Sequence, residues 1–228
     1  MFFFSWLKAV LWDSVVIKLQ GKHVVILGAR AVGKTHLIRF LSTGTIPVVY
    51  KQTLVSEKAP AKRVSLGDLD LKLKAAADVS GDKSAYGVWR ELVLGCAARK
   101  GKSKVEPADL VIYLLRADRI LMKDISTEAR VRADIKHLAD WLRESDLAGA
   151  RPRFIIAGTH CDKDAAYRAL TDGTRGDYHD IFSQLPFIQE MVFTAGGTAN
   201  VKLALGGMAT RAGTEELATL IFKQVMDE

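Results

Sequence analysis

The chain has 228 residues, 49% hydrophobic and 26% charged, a composition that sustains a folded core and excludes wholesale disorder. A formal charge of +7 and a pI near 9.4 are compatible with nucleic acid, anionic lipid or an acidic partner, and they select none of these. The two cysteines, Cys96 and Cys161, have neither a metal-ligand spacing nor the number for a disulfide framework, which fits a reducing, cytoplasmic setting.

Residues 1–12 (MFFFSWLKAVLW) are the most apolar stretch, with Lys8 as their single charge. The stretch is too short to span a bilayer, and it lacks the basic start and small-residue cleavage site of a signal peptide. Two readings stay open: a helix that sinks its aromatics into a membrane surface, or one that packs on this domain or on a partner. Phe2 excludes myristoylation, which needs glycine there.

Val24-Val25-Ile26-Leu27 predicts a buried strand, and 36–41 predicts a helix. Between them stands Gly28-Ala29-Arg30-Ala31-Val32-Gly33-Lys34-Thr35, a Gly-x4-Gly-Lys-Thr string in the strand-to-helix setting that a phosphate cradle requires. Its glycines let successive N–H groups and a helix N-terminus converge on one point. Lys34 adds positive charge there, and the Thr35 hydroxyl is a ligand for Mg²⁺.

The polar, basic segment 45–66 reads as an exposed loop with one strand near 48–50. Leu69, Leu71 and Leu73 alternate with charged residues in a half-buried strand pattern that ends at Asp78. A helix over 84–94 carries Trp89 and Leu92, and the basic insertion near 97–107, with Arg99, Lys100, Lys102 and Lys104, reads as a solvated loop. The run 110–115 (LVIYLL) predicts a central parallel strand buried on both faces, and 124–145 a long helix over the sheet. Another buried strand at 154–157 leads into Gly158-Thr159-His160-Cys161-Asp162. Helical pieces follow at 165–170 and 178–185. Met191-Val192-Phe193 reads as a short strand ending in Thr194-Ala195-Gly196, 201–208 as a Gly-rich linker or extra hairpin, and 214–226 as the closing helix. The alternation predicts an α/β fold: a mostly parallel five- to six-stranded sheet, helices on both faces and ligand loops at the strand C-termini. Residues 1–20 would be an apolar appendage and 21–228 one domain.

Four strand-end loops then make sense together. Besides the phosphate loop, Asp78-x-x-Gly81 offers a carboxylate for Mg²⁺, through water, and an unobstructed Gly81 N–H for a γ-phosphate. The Asp162 carboxylate matches the N1–H and exocyclic amine of guanine, a donor pair that adenine lacks. Ala195 would supply a backbone N–H to guanine O6. His160 and Cys161 read as neighbours of Asp162, since a Cys–His hydrolase would leave the Gly-Lys-Thr loop unexplained.

In these residues the chain resembles the Ras-like small GTPases of the P-loop class. GARAVGKT is similar to the family's first motif and DVSG to its third. THCD, with Thr159 at its head, is similar to the fourth in the variant form of Roc-type GTPases, and TAG loosely to the fifth. The stretch DVSGDKSAYGVWREL looks most like the Arf branch, whose helix there also carries a Trp-Arg pair, and the apolar start is reminiscent of Arf's membrane helix. The resemblance covers about 20–228 and implies a GTP/GDP switch that uses Mg²⁺. It also implies a second-motif threonine closing on the metal, Thr53 or alternatively Thr45. Effector or regulatory proteins would meet switch segments near 51–62 and 81–89. Two residues depart from the family. Asp82 stands where a glutamine usually orients the attacking water, and Arg30 where Ras has glycine; Arg30 would either block an incoming arginine finger or stabilise the γ-phosphate charge in cis. With Lys34 these two form the expected catalytic set, and slow intrinsic hydrolysis is the expectation. The alternative is a pseudo-GTPase interaction module with little or no hydrolysis. An ATP-dependent enzyme is a third reading, which Asp162 opposes, and nucleic-acid binding rests on charge alone.

Overall fold

Two central segments, LVIYLLR and RFIIAGT, have almost no polar face, so they are stable only as strands covered on both sides. The computed structural model describes residues 23–43, 62–66, 69–73, 85–97, 106–149, 152–169 and 175–226. In chain order these form β1 (Val24–Gly28), α1 (Lys34–Thr43), β2 (Lys62–Leu66), β3 (Leu69–Leu73), α2 (Ala85–Leu94), β4 (Leu110–Arg116), α3 (Ala117–Leu121) and α4 (Ile125–Leu147). They continue with β5 (Arg153–Thr159), a 3-10 turn (Cys161–Lys163), α5 (Ala165–Ala169), α6 (Arg175–Ser183), α7 (Pro186–Thr194), β6 (Val201–Leu205) and α8 (Arg211–Met226).

The strands form one six-stranded sheet in the order β2-β3-β1-β4-β5-β6. All neighbours are parallel except β2 and β3, which pair antiparallel. Side chains alternate across the sheet and divide the core in two. Val25, Leu27, Val111, Tyr113, Phe154 and Ile156 pack under α2, α4, α6 and α7. Val24, Ile26, Leu110, Ile112, Leu114 and Ile155 pack under α1 and α8. The chain leaves β1 toward one edge of the sheet and β4 toward the other. The crevice between the C-terminal ends of these two strands is therefore a topological switch point, where open α/β sheets bind ligands. The register puts Gly28 beside Leu114 and Arg116 beside Thr159, so the phosphate loop and the Thr159 loop open at the same end.

Three expectations change. Lys62–Leu66, expected within a loop, is β2. It pairs antiparallel with β3, from Lys62 opposite Leu73 to Leu66 opposite Leu69. Met191-Val192-Phe193 is not a strand but the end of α7, which starts at Pro186 and buries Phe187, Ile188, Met191 and Val192 at helical spacing. The sixth strand is instead Val201–Leu205, expected as a linker or hairpin, which pairs parallel with β5 from Phe154↔Val201 to Gly158↔Leu205. The 48–50 strand and the basic insertion at 99–104 lie outside the described residues.

Candidate functional site

The loop between β1 and α1 takes a shape that its small residues permit. Gly28 has φ +138° and Gly33 φ +95°, and Ala31 also lies in the left-handed region at 60°. A Cβ on Gly28 would fall 2.3 Å from the carbonyl oxygen of Leu114, so the loop can start only from glycine. Ala29 is half-buried, Arg30 and Ala31 face solvent, and Val32 is buried beneath the loop with α1. The Lys34 side chain folds back across this arc: its ammonium donates to the carbonyls of Gly28 at 3.0 Å and Ala29 at 2.6 Å, and the residue as a whole is 4% exposed. A buried cation at a helix N-terminus suits a polyanion. Thr35 is exposed at the start of α1, and its hydroxyl is the hard oxygen that Mg²⁺ prefers.

The end of β5 is stapled to that loop. The Thr159 hydroxyl, fully buried, lies 2.9 Å from the Val32 carbonyl and 3.0 Å from that of Leu115, and it has one proton to donate to them. Its oxygen is also 2.9 Å from Nδ1 of His160. His160 sits in the left-handed region with φ 61°; burial and the nearby cations Arg116 and Lys163 push its pKa down to about 4, so the ring is neutral near pH 7. Arg116, at the end of β4, pairs with the buried carboxylate of Asp118 through Nε at 2.7 Å and through a second guanidinium nitrogen. Burial works to raise the Asp118 pKa, but the Arg116 bonds outweigh it and hold the carboxyl below its ordinary value.

Asp162 is half-buried on the turn after β5, and its Oδ1 accepts the backbone N–H of Met208 at 3.2 Å. Gly206-Gly207-Met208 is the stretch directly after β6, and it was not among the expected site residues. Gly206 N–H donates to Gly158 at 3.0 Å, and a Cβ on Gly207 would lie 2.6 Å from Asp162 Oδ1. The Met208 methyl group packs against Gly33, where a Cβ would lie 2.1 Å from it, so this loop touches both the carboxylate and the phosphate loop. A pair of glycines after a short run with Val201, Leu203 and Leu205 in alternation was the available signal. Behind it, His36 of α1 meets Thr214 of α8 at 3.3 Å, and burial lowers the His36 pKa.

Gly28 through Thr35, Thr159 and Asp162 thus converge. Ala195 does not: it caps the C-terminus of α7, its N–H donates to Met191 at 3.0 Å, and it precedes β6 instead of following it. The assignment fails because the strand it was attached to is a helix. Asp78, Gly81, Asp82, Thr53 and Thr45, like residues 1–12, lie outside the described residues. Among the described residues no cluster of His, Cys, Asp and Glu is built to hold a metal, and no helix is long and apolar enough to cross a membrane.

Among solved structures the chain is similar to the Arl6 (BBS3) small GTPase of Trypanosoma brucei with the bound nucleotide analogue GppNp. The two are 16% identical, with a TM-score of 0.51 over 90% of this chain and 96% of that one. It is also similar to an ADP-ribosylation-factor-like GTP-binding protein, the small COPII coat GTPase SAR1 of Encephalitozoon cuniculi in complex with GDP. There the identity is 13% and the TM-score 0.46, over 98% of this chain and 91% of that one. No protein-family profile and no curated protein sequence matches the chain. The likeness to the Trypanosoma protein shows the fold alone: a mostly parallel α/β sheet with helices on both faces, shared with that small GTPase.

Proposed function

Proceeding from that fold, we propose that the chain is a guanine-nucleotide-binding switch that cycles between GTP and GDP with slow intrinsic hydrolysis. One juxtaposition supports it: the Lys34 cradle and the Asp162 carboxylate open at the same end of the sheet, coupled by Thr159 to Val32 and by Met208 to Asp162 and Gly33. Lys34 and the backbone of 28–35 bind the β- and γ-phosphates. Asp162 accepts N1–H and the exocyclic amine of guanine, and the Gly206-Gly207-Met208 loop takes the place first given to Ala195 beside the base. His160, neutral and held by Thr159, flanks that position. Thr35 and Asp78, with Thr53 or Thr45, would hold Mg²⁺, which when bound neutralises charge on the phosphates.

The pairing at Asp162 has a direct test. Asp162→Asn turns one acceptor oxygen into a donor amide that suits xanthine, whose C2 carries oxygen where guanine carries an amine. The variant should lose at least about 100-fold in GDP affinity and gain affinity for xanthosine diphosphate. Unchanged GDP binding would remove Asp162 from the base site.

Slow hydrolysis follows from Asp82 in place of the usual glutamine, and Arg30, an exposed residue of the same loop as Lys34, is the compensating candidate. In single-turnover GTP hydrolysis, Arg30→Ala should lower the rate by at least about tenfold if the guanidinium meets the γ-phosphate charge. An unchanged or faster rate would mean that Arg30 obstructs instead. No hydrolysis by the wild-type chain, with GTP retained, would favour the pseudo-GTPase alternative.

A further inference from the structure

The core under α1 and α8 is built from Leu37, Leu41, Leu217, Ala218 and Ile221, and one polar contact runs across it. His36 and Thr214 are both buried, and Nε2 of His36 lies 3.3 Å from Oγ1 of Thr214. An apolar pair would fill this space without the cost of stripping water from an imidazole and a hydroxyl. What the polar pair adds is direction.

Thr214 transmits that direction to the turn after β6. Its Oγ1 lies 2.9 Å from the carbonyl oxygen of Thr210 and 3.4 Å from that of Met208. A hydroxyl has one proton and a carbonyl only accepts, so the proton goes to Thr210, the nearer of the two, and the Thr214 oxygen is left to accept Nε2–H of His36. Thr210 in turn caps α8: its hydroxyl accepts the Gly213 N–H at 3.1 Å and its carbonyl the Thr214 N–H at 3.0 Å. The start of α8 also presses on the turn directly. A Cβ on Gly213 would lie 2.7 Å from the carbonyl oxygen of Gly207, and one on Gly206 would lie 2.9 Å from Cβ of Leu217. Beyond this packing, the same turn gives its Met208 N–H to Asp162 and lays the Met208 methyl against Gly33. His36 directly follows Thr35, so the helix that opens at the phosphate loop reaches through Thr214 to the turn that orients Asp162. The Lys34 bonds to Gly28 and Ala29 share no atom with this network.

We propose that Thr214, held by His36, is a positioning residue for purine selectivity: it fixes the 206–210 turn and with it the Asp162 carboxylate, whereas the Lys34 cradle binds phosphate without it. The inference rests on the guanine-nucleotide reading above.

Thr214→Val keeps the side-chain shape and removes the hydroxyl, and Thr214→Ser keeps the hydroxyl. Affinities of full-length wild-type and variant chains for GDP and ADP with Mg²⁺, measured by competition against fluorescent GDP, separate positioning from general loosening. Thr214→Val should lower the preference for GDP over ADP by at least about tenfold with ADP affinity within about twofold of wild type, and Thr214→Ser should bring the preference back to within about threefold. His36→Leu carries the same prediction from the α1 side, and the double variant His36→Leu with Thr214→Val should lose no more than the larger single loss, because both changes delete one interaction. The proposal is overturned if Thr214→Val or His36→Leu keeps the wild-type preference, if either weakens GDP and ADP in parallel, if serine does not rescue, or if the two losses multiply in the double variant. A wild-type chain with no preference for GDP over ADP overturns the guanine-nucleotide reading, and this inference with it; a wild-type preference that survives Thr214→Val overturns this inference alone.

Discussion

His160 and His36 link the site to pH. Burial lowers both pKa values, that of His160 to about 4, while the unfolded imidazoles titrate near 6.5. As pH falls below 6.5 the unfolded chain takes up these protons first, so the stability contributed by the neutral folded rings is complete above 6.5 and is lost progressively toward about 4. Asp118, held below its ordinary 3.8, extends the loss in the same direction at lower pH. Thermal melts across this range should show Tm falling from pH 6.5 downward, and His160→Gln should flatten the slope between 6.5 and 4. A wild-type Tm constant across that window would contradict the burial of these rings. Cys161 takes no part in this: burial pushes its thiol up to about 12, leaving a packed, protonated side chain beneath the Asp162 turn.

Among the elements, the turn after β6 has the most to say about specificity. Gly207→Ala would place a Cβ 2.6 Å from Oδ1 and 2.7 Å from Cβ of Asp162, so the carboxylate must turn away or the loop must shift. The variant should fold, yet its preference for GDP over ADP should fall by at least about tenfold; retention of full selectivity would mean that Asp162 does not need that orientation. This element was also the hardest to read in the sequence. The strand-to-helix loop at 28–35 was legible because its residues are fixed by local backbone demands: Gly28 and Gly33 adopt conformations that side chains resist, and Lys34 follows at the helix start. The runs in β4 and β5 were legible because burial on both faces leaves no other composition. Met191-Val192-Phe193 misled because a short apolar run fits a strand or a buried helix equally, and the deciding features, Pro186 at the helix start and Phe187 and Ile188 one turn before Met191 and Val192, lie upstream. A strand at 191–193 would put Ala195 at a strand end; with that run inside α7, the strand that ends here is Val201–Leu205, and Gly206-Gly207 follows it. The His36–Thr214 contact joins residues 178 positions apart, and only the packing of α1 on α8 brings them together.

At the scale of the whole molecule, the sheet separates two cores, one on each face. The face under α1 and α8 holds the phosphate loop and the β6 turn through Val32 and Met208; the face under α2 and α4 is packed around Trp89 and Tyr113. The most direct test is calorimetric titration of purified full-length chain with GDP, GTPγS, ADP and ATPγS in the presence of Mg²⁺. Both guanine nucleotides should bind, each at least about 100-fold more tightly than its adenine counterpart. Adenine nucleotides binding as tightly as guanine ones, or no binding of either guanine nucleotide, would contradict the account.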